Sequence, residues 1–142
     1  MRVRVNRFLM PAGMGLTALL LGAATLPPAI ADSGGLWEVS KSATGANAEK
    51  RCVAQAAVLA QWEHRQAQCT RVVISSTPTG AVIHYTCPGG GFGRSKMSVI
   101  TPRTLRIETQ GISEGYPFNY VLHARRVGDC PASLRSRLTR KG

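Results

Sequence analysis

The sequence has few acidic residues, few aromatic residues and no long uninterrupted apolar run. Its 7 Asp and Glu stand against 18 Lys and Arg among 142 residues, and aromatic residues make up only 6%. The densest apolar stretch covers the eleven residues 16–26, whereas a transmembrane helix needs about twenty. The sequence therefore predicts no stable transmembrane segment, and its length leaves room for one ordinary domain.

Several motifs of catalysis and metal binding are also missing. No C-x-x-C pair or Cys/His cluster with zinc spacing occurs, and the three His (64, 84 and 123) have no paired spacing. No Ser lies in a G-x-S-x-G elbow. The glycine-rich residues 88–95 lack the Gly at 88 and the Lys at 94 of a phosphate loop, so we predict a connector between strands. From these absences we expect no cofactor, no metal ion and no enzymatic activity.

Residues 1–31 have the three parts of a secretory signal peptide. Three Arg precede the apolar core without any acidic residue, and Ala29-Ile30-Ala31 forms a small-x-small exit. We therefore predict cleavage between Ala31 and Asp32 and a bacterial periplasmic or secreted location. No Cys directly follows the apolar core, which argues against a lipoprotein anchor. No Arg-Arg pair precedes the core, which argues against twin-arginine export. An uncleaved membrane anchor is the alternative.

Basic residues dominate the remaining chain, especially at its end. Cleavage removes three Arg and no acid, which lowers the formal net charge from +11 to +8. Residues 131–142 contain four of the remaining bases and are predicted to form a flexible basic tail. Such a tail can contact anionic envelope polymers or lipid headgroups, or act only on solubility. No nucleic-acid module is recognised, so nucleic acid is not an expected partner.

Four cysteines occur in the sequence, at Cys52, Cys69, Cys87 and Cys130. In an oxidising compartment an even set of Cys predicts disulfides. Residues 69–75 and 81–87 are β-branched, alternating segments around a turn, which indicates a hairpin. If Ser75 pairs with Ala81, Cys69 falls directly opposite Cys87, and Cys52 is left for Cys130. On the chain-entropy model the two bonds contribute about 3 and about 4.5 kcal/mol, and we expect both to be structural.

The remaining pattern predicts a mainly β fold. Alternating segments indicate about six antiparallel strands in up-and-down order. Residues 53–67 are rich in Ala and Gln without Gly or Pro, which predicts one helix after the first strand. A meander of this length hides its edges by curling into a half-barrel or small barrel. We predict this β-rich domain over residues 32–130, between the signal peptide and the basic tail.

Several short segments resemble one bacterial exported family. They occur in the typical order: Gly35-Leu36-Trp37-Glu38-Val39, Cys52, Cys69, Thr86-Cys87-Pro88-Gly89 and Arg125-Arg126-Val127-Gly128-Asp129-Cys130. This pattern is similar to the domain of unknown function 3617, over about residues 35–130. The chain departs from the family at Ala124, where members have Gly, and in a middle segment with less Met and Gly. The family has no established activity, so the resemblance implies export and the Cys framework and carries over no catalytic residue.

The aromatic residues are the candidates for a ligand site. The set consists of Trp37, Trp62, Tyr116, Phe118 and Tyr120. In a chain this small they can fill the core or line an apolar groove on the concave face of a partly closed sheet. We expect a non-enzymatic protein that binds an envelope-associated ligand, either an apolar small molecule or an anionic surface. A structural or interaction module without a ligand is the alternative, and two carboxylates converging in a polar cleft would instead favour an unrecognised hydrolase.

Overall fold

The computed structural model describes residues 25–139 as seven strands and three short helical segments. The strands are β1 (Gly35–Ser40), β2 (Glu49–Val53), β3 (Thr70–Thr77), β4 (Gly80–Thr86), β5 (Phe92–Thr101), β6 (Thr104–Ser113) and β7 (Tyr116–Gly128). The helical segments are α1 (Pro28–Ala31), a 3₁₀ segment (Ala56–His64) and α2 (Ala132–Thr139). Most of the predicted signal peptide lies outside the described residues. No helix between residues 25 and 139 has the length and apolarity needed to cross a membrane.

The seven strands form one antiparallel sheet in the order β2-β1-β7-β6-β5-β4-β3. Neighbours in sequence pair from β3 to β7, and β7 then brings the chain back beside β1. Because β2 and β3 remain as edges, the sheet is not closed. The predicted fold class, a mainly β antiparallel meander with a helix after the first strand, is confirmed. The sequence did not reveal β2, because its segment EKRCV has three charged residues and no alternation of apolar and polar side chains.

One face of the sheet, the inner face, packs on the 3₁₀ segment and forms the hydrophobic core. The buried side chains that the sheet contributes to this core cluster are Trp37, Val39, Val53, Ala81, Ile83, Met97, Leu105, Ile107, Leu122 and Ala124. Apart from Val53 in β2, they occupy every second position of their strands, as the alternation predicts. The 3₁₀ segment adds Leu59 and the small side chains of Ala56, Ala57 and Ala60 to the same cluster. The protein's own core therefore covers most of the inner face, where a curled sheet was expected to leave an apolar groove.

The helix predicted over residues 53–67 differs in length and type. It covers Ala56–His64 with 3₁₀ geometry and bends at Gln61, which has φ −98° and ψ 34°. The Gln61 amide donates to the Ala67 carbonyl at 2.9 Å, and its side-chain oxygen accepts a hydrogen bond from Arg71. A buried polar side chain that satisfies nearby backbone groups in this way competes with a regular helix.

Both predicted disulfides are present. Cys69–Cys87 closes the β3–β4 hairpin with Cα atoms 4.1 Å apart, and Cys52–Cys130 joins β2 to the end of β7 with Cα atoms 5.6 Å apart. The predicted hairpin register is correct beside the disulfide but wrong at the turn, where Ala81 faces Ser76 instead of Ser75. A β-bulge between Val73 and Ser75 shifts the pairing by one residue on the turn side only. The disulfide pairing is therefore independent of the error.

Segments on both sides of residues 32–130, the bounds predicted for the β-rich domain, contact that domain. Upstream, α1 packs against the 3₁₀ segment, and Ile30 is fully buried in the core. Downstream, part of the predicted basic tail forms α2, in which Arg135 donates to the Cys130 carbonyl at 3.2 Å. Arg126 and Asp129 form an ion pair of 2.8 Å just before this point. The chain on both sides of the predicted domain thus contacts it.

Candidate functional site

The five aromatic residues predicted to line a ligand site do not form one cluster, although the ring centres of Phe118 and Tyr120 lie 5.7 Å apart. Trp37 is fully buried in the core, and its indole N–H donates to the Ser33 carbonyl at 3.0 Å. Trp62 and Tyr120 share one cavity on the inner side of the sheet. Phe118 belongs to a second cavity, and Tyr116 is 76% exposed beside the β6–β7 turn.

The first cavity, which we call the inner cleft, lies between the β1–β2 loop, the end of the 3₁₀ segment and β7. It has a volume of about 530 Å³. The side chains in it that carry charge, hydroxyl or indole groups include Lys41, Glu49, Trp62, Glu63, Arg65 and Tyr120. The Tyr120 hydroxyl donates to Glu63 at 2.7 Å, and Arg65 donates twice to Glu49, both times at 3.1 Å. The Lys41 ammonium lies 4.2 Å from the centre of the Tyr120 ring.

The polar groups of the inner cleft satisfy one another. Burial, followed by the hydrogen bond to Glu63 and the negative charge of that residue, raises the pKa of Tyr120. The phenol therefore stays protonated and continues to donate. Glu49 and Glu63 both line this cleft, as the hydrolase hypothesis requires, but Arg65 binds one carboxylate and Tyr120 the other. Both carboxylates are therefore engaged, and neither is a free acid or base.

The second cavity, which we call the outer trough, lies on the opposite face of the sheet across β4 to β7. It has a volume of about 650 Å³. The residues that form its two rows are His84, Arg94, Gln110 and Asn119 in a polar row and Phe92, Ile112 and Pro117 in an apolar row. Within each row, neighbouring residues are direct cross-strand partners. Because the rows are two residues apart along each strand, an apolar strip lies beside a polar strip.

Positive charge on this outer face exceeds the acids available to pair with it. Glu108 ion-pairs with both Arg106 at 3.0 Å and Lys96 at 3.9 Å, and Glu38 pairs with one base from β7 and one from β2. Arg94 forms no ion pair with any residue that the structure describes, and no acid lines the outer trough. The polar row continues into a recess of about 300 Å³ that is lined by Lys96 and by Glu108, whose carboxylate is already paired with two bases. The net charge of this region is therefore positive and suits an anionic partner.

Glycines beside the outer trough let other groups approach the backbone closely. Gly93 and Gly111 face each other in the β5–β6 ladder, and both line the trough. A Cβ at Gly111 would lie 2.1 Å from a backbone oxygen of β5, and one at Gly93 would lie 2.5 Å from the Tyr85 ring. Gly91 likewise leaves room for the ring of His64, because a glycine has no Cβ that would collide with it. The glycine-rich residues 88–95 thus permit aromatic rings to approach the backbone, which a phosphate loop does not require.

Sequence reasoning missed the residues of the outer trough. Phe92 and Arg94 lie within residues 88–95, for which the sequence predicted only a connector, and no role was predicted for Gln110 or Asn119. The pattern that would have identified these residues, a row of polar cross-strand neighbours, depends on the β5–β6 register, which the sequence did not determine. Once Arg94 is known to face Gln110, and Gln110 to face Asn119, the polar row follows directly.

The histidines lie apart. His64 is in the 3₁₀ segment, with its Nδ1 3.3 Å from the Tyr85 hydroxyl, whereas His84 is on β4 and His123 on β7. Within residues 25–139, no three His, Cys, Asp or Glu side chains come close enough to hold a metal ion.

A model of a protein family of unknown function, DUF3617, matches residues 29–130. The chain belongs to this family. The DUF3617 match begins within α1, covers every strand and includes all four cysteines of the two disulfides. No curated protein and no solved structure matches the chain. The function of this DUF3617 domain is therefore argued from its own surfaces.

Proposed function

We propose that this protein is an exported, non-enzymatic domain that binds an amphipathic anion of the bacterial envelope in its outer trough. The apolar body of the ligand would lie on Phe92, Ile112 and Pro117, and Arg94 would bind its acidic head. The observation that carries the proposal is an exposed apolar row directly beside a guanidinium that no described acid pairs with.

The size and chemistry of the trough support this ligand class. Its volume of about 650 Å³ falls within the range typical of small-molecule sites, about 300–1,000 Å³. Phe92 is 49% exposed, although an aromatic side chain gains most from burial. A guanidinium binds carboxylate or phosphate oxygens through two parallel N–H groups, so Arg94 suits either kind of head.

Export is supported by the sequence of the first 31 residues and by the cysteines. All four cysteines of the chain are in disulfides, and stable disulfides form in oxidising compartments such as the periplasm. Removal of residues 1–31 would leave a formal net charge of +8, which favours anionic partners of the envelope.

The test uses sodium dodecanoate as the probe, with isothermal titration calorimetry below its micelle concentration. We expect saturable binding by the wild-type protein and binding weakened about tenfold or more in Arg94→Gln, because a charge-assisted hydrogen bond is lost. Arg103→Gln is the matched control, since it removes the same charge at the β5–β6 turn, outside the trough. Dodecanol should bind the wild-type protein and Arg94→Gln with equal affinity. Equal dodecanoate affinity in wild type and Arg94→Gln would contradict the proposal.

A second arm distinguishes a free amphiphile from a membrane surface. Cosedimentation with phosphatidylglycerol vesicles, compared with phosphatidylcholine vesicles, measures binding to an anionic surface. Binding to the anionic vesicles without binding to dodecanoate would identify the surface as the partner. Native mass spectrometry of protein from its own periplasm then shows which molecule is retained.

A second candidate function is hydrolysis in the inner cleft, because Glu49 and Glu63 both line it. The test is a screen of chromogenic esters and glycosides with wild-type protein and Glu63→Gln. Turnover that disappears in Glu63→Gln would favour this candidate. We expect no difference, since Glu63 is engaged by Tyr120.

A further inference from the structure

The chain just before the predicted cleavage site occupies an apolar groove of the domain. Ile30 is fully buried, Leu26 packs against the core, and α1 contacts the 3₁₀ segment. At the other end, the Ser76 hydroxyl near the β3–β4 turn donates to the Thr25 carbonyl. Residues 25–31 thus extend from the end of the hairpin to the 3₁₀ segment, with two aliphatic side chains directed into the core.

This segment is separable from the rest of the fold. The backbone hydrogen bonds of α1 are internal: Ile30 and Ala31 donate to the Pro27 carbonyl at 2.8 and 2.9 Å, and Asp32 donates to Pro28 at 2.9 Å. Sheet pairing begins only at Gly35, and both disulfides lie downstream. Cleavage after Ala31 therefore leaves every strand and both cross-links in place, while it removes the side chains of Leu26 and Ile30.

We infer that cleavage after Ala31 opens this groove and that the mature domain binds there an apolar peptide segment of a partner protein. A peptide is the favoured ligand because a peptide fills the groove in the full-length chain: it buries Ile30, packs Leu26 against the core and offers a carbonyl to Ser76. The partner segment then has aliphatic residues four positions apart, like Leu26 and Ile30. The inference rests on the proposed export, and its groove is distinct from the outer trough.

The experiment uses protein recovered from the periplasm after expression of the full chain. Intact-mass analysis is expected to give an N-terminus at Asp32 with both disulfides formed. A fluorescent peptide of sequence TLPPAIA, corresponding to residues 25–31, should then bind saturably by fluorescence anisotropy. The same peptide with Ile30→Asp should bind at least about tenfold more weakly, because the aliphatic burial is lost. A chain that begins at Thr25 is the matched control and should not bind, since its groove is filled.

Each other result overturns the inference in a distinguishable way. An exported chain whose N-terminus lies upstream of Ile30 shows that the groove stays filled, and it leaves the export proposal intact. An Asp32 chain that is unfolded, or folded without affinity for TLPPAIA, shows that no open groove remains. An uncleaved protein in the cytosol overturns export and the groove together. Dodecanoate that displaces the peptide would show that the two sites are one.

Discussion

The inner cleft and the outer trough are similar in size and differ in how their charges are paired. In the inner cleft, Arg65 binds Glu49, and the Tyr120 hydroxyl binds Glu63. In the outer trough, Arg94 lies beside an apolar row and has no acidic partner among residues 25–139. The first cavity pairs its own carboxylates, whereas the second leaves a positive charge for a partner to satisfy.

The scarcity of acids explains the difference. Seven acidic residues stand against 18 bases in the whole chain, and each acid of the outer face pairs with two bases. The hydrogen bond from Arg125 lowers the pKa of Glu38, so that this carboxylate remains ionised and occupied. In a chain this basic, an unpaired cation is therefore more informative about binding than a cavity that contains carboxylates.

The largest predicted effect is a loss of stability when the core on the inner side of the sheet is disrupted. Trp62→Ala removes a nearly fully buried aromatic side chain of the core cluster and is expected to lower the free energy of unfolding by about 3–5 kcal/mol. Urea denaturation measures the change. Tyr116→Ala, at an exposed aromatic residue, is the control and should change it by less than about 0.5 kcal/mol. Dodecanoate affinity should be unaffected in Trp62→Ala, and a parallel loss would show that the two cavities are coupled.

A smaller loss of stability is expected at high pH, where the buried Tyr85 hydroxyl titrates. Burial, the largest cause, raises the pKa of Tyr85 to about 12, whereas an unfolded tyrosine titrates near 10. The unfolded chain therefore loses its proton first, and stability that is fully present below about pH 10 is lost as the pH rises through 12, by roughly 2–3 kcal/mol. Denaturation curves across this range test it. Tyr85→Phe should reduce the pH dependence, whereas Tyr116→Phe should leave it unchanged.

Much of the fold was predictable because local patterns determine it. Alternation identified the inner faces of β6 and β7, and the hairpin register beside Cys69 and Cys87 gave both disulfides. Strand β2 was missed because a charged edge strand has no alternation. The helix type was missed because Gln61 bonds to the backbone at a bend, a tertiary effect that residue propensities do not contain.

The sites were less predictable than the fold. Of the aromatic candidates, Trp62 and Tyr120 line the inner cleft, whereas Trp37 lies in the core. The outer trough depends on which residues of β5, β6 and β7 face one another, and that register is set by the length of each turn and by a bulge near Val99. A polar residue on a solvent-facing side carries no sign of function until its cross-strand neighbours are known.

The smallest predicted effect is the sharpest test of the comparison. Tyr120→Phe removes the hydroxyl that donates to Glu63 at 2.7 Å and should lower the free energy of unfolding by about 1 kcal/mol, the typical value of one hydrogen bond. Its dodecanoate affinity should equal that of the wild type. Arg94→Gln should do the reverse, with weaker binding and unchanged stability, because this side chain is exposed and unpaired within the described residues. If both variants weakened dodecanoate binding alike, the Tyr120–Glu63 pair and the unpaired Arg94 would belong to one site, and the division between the two cavities would be wrong.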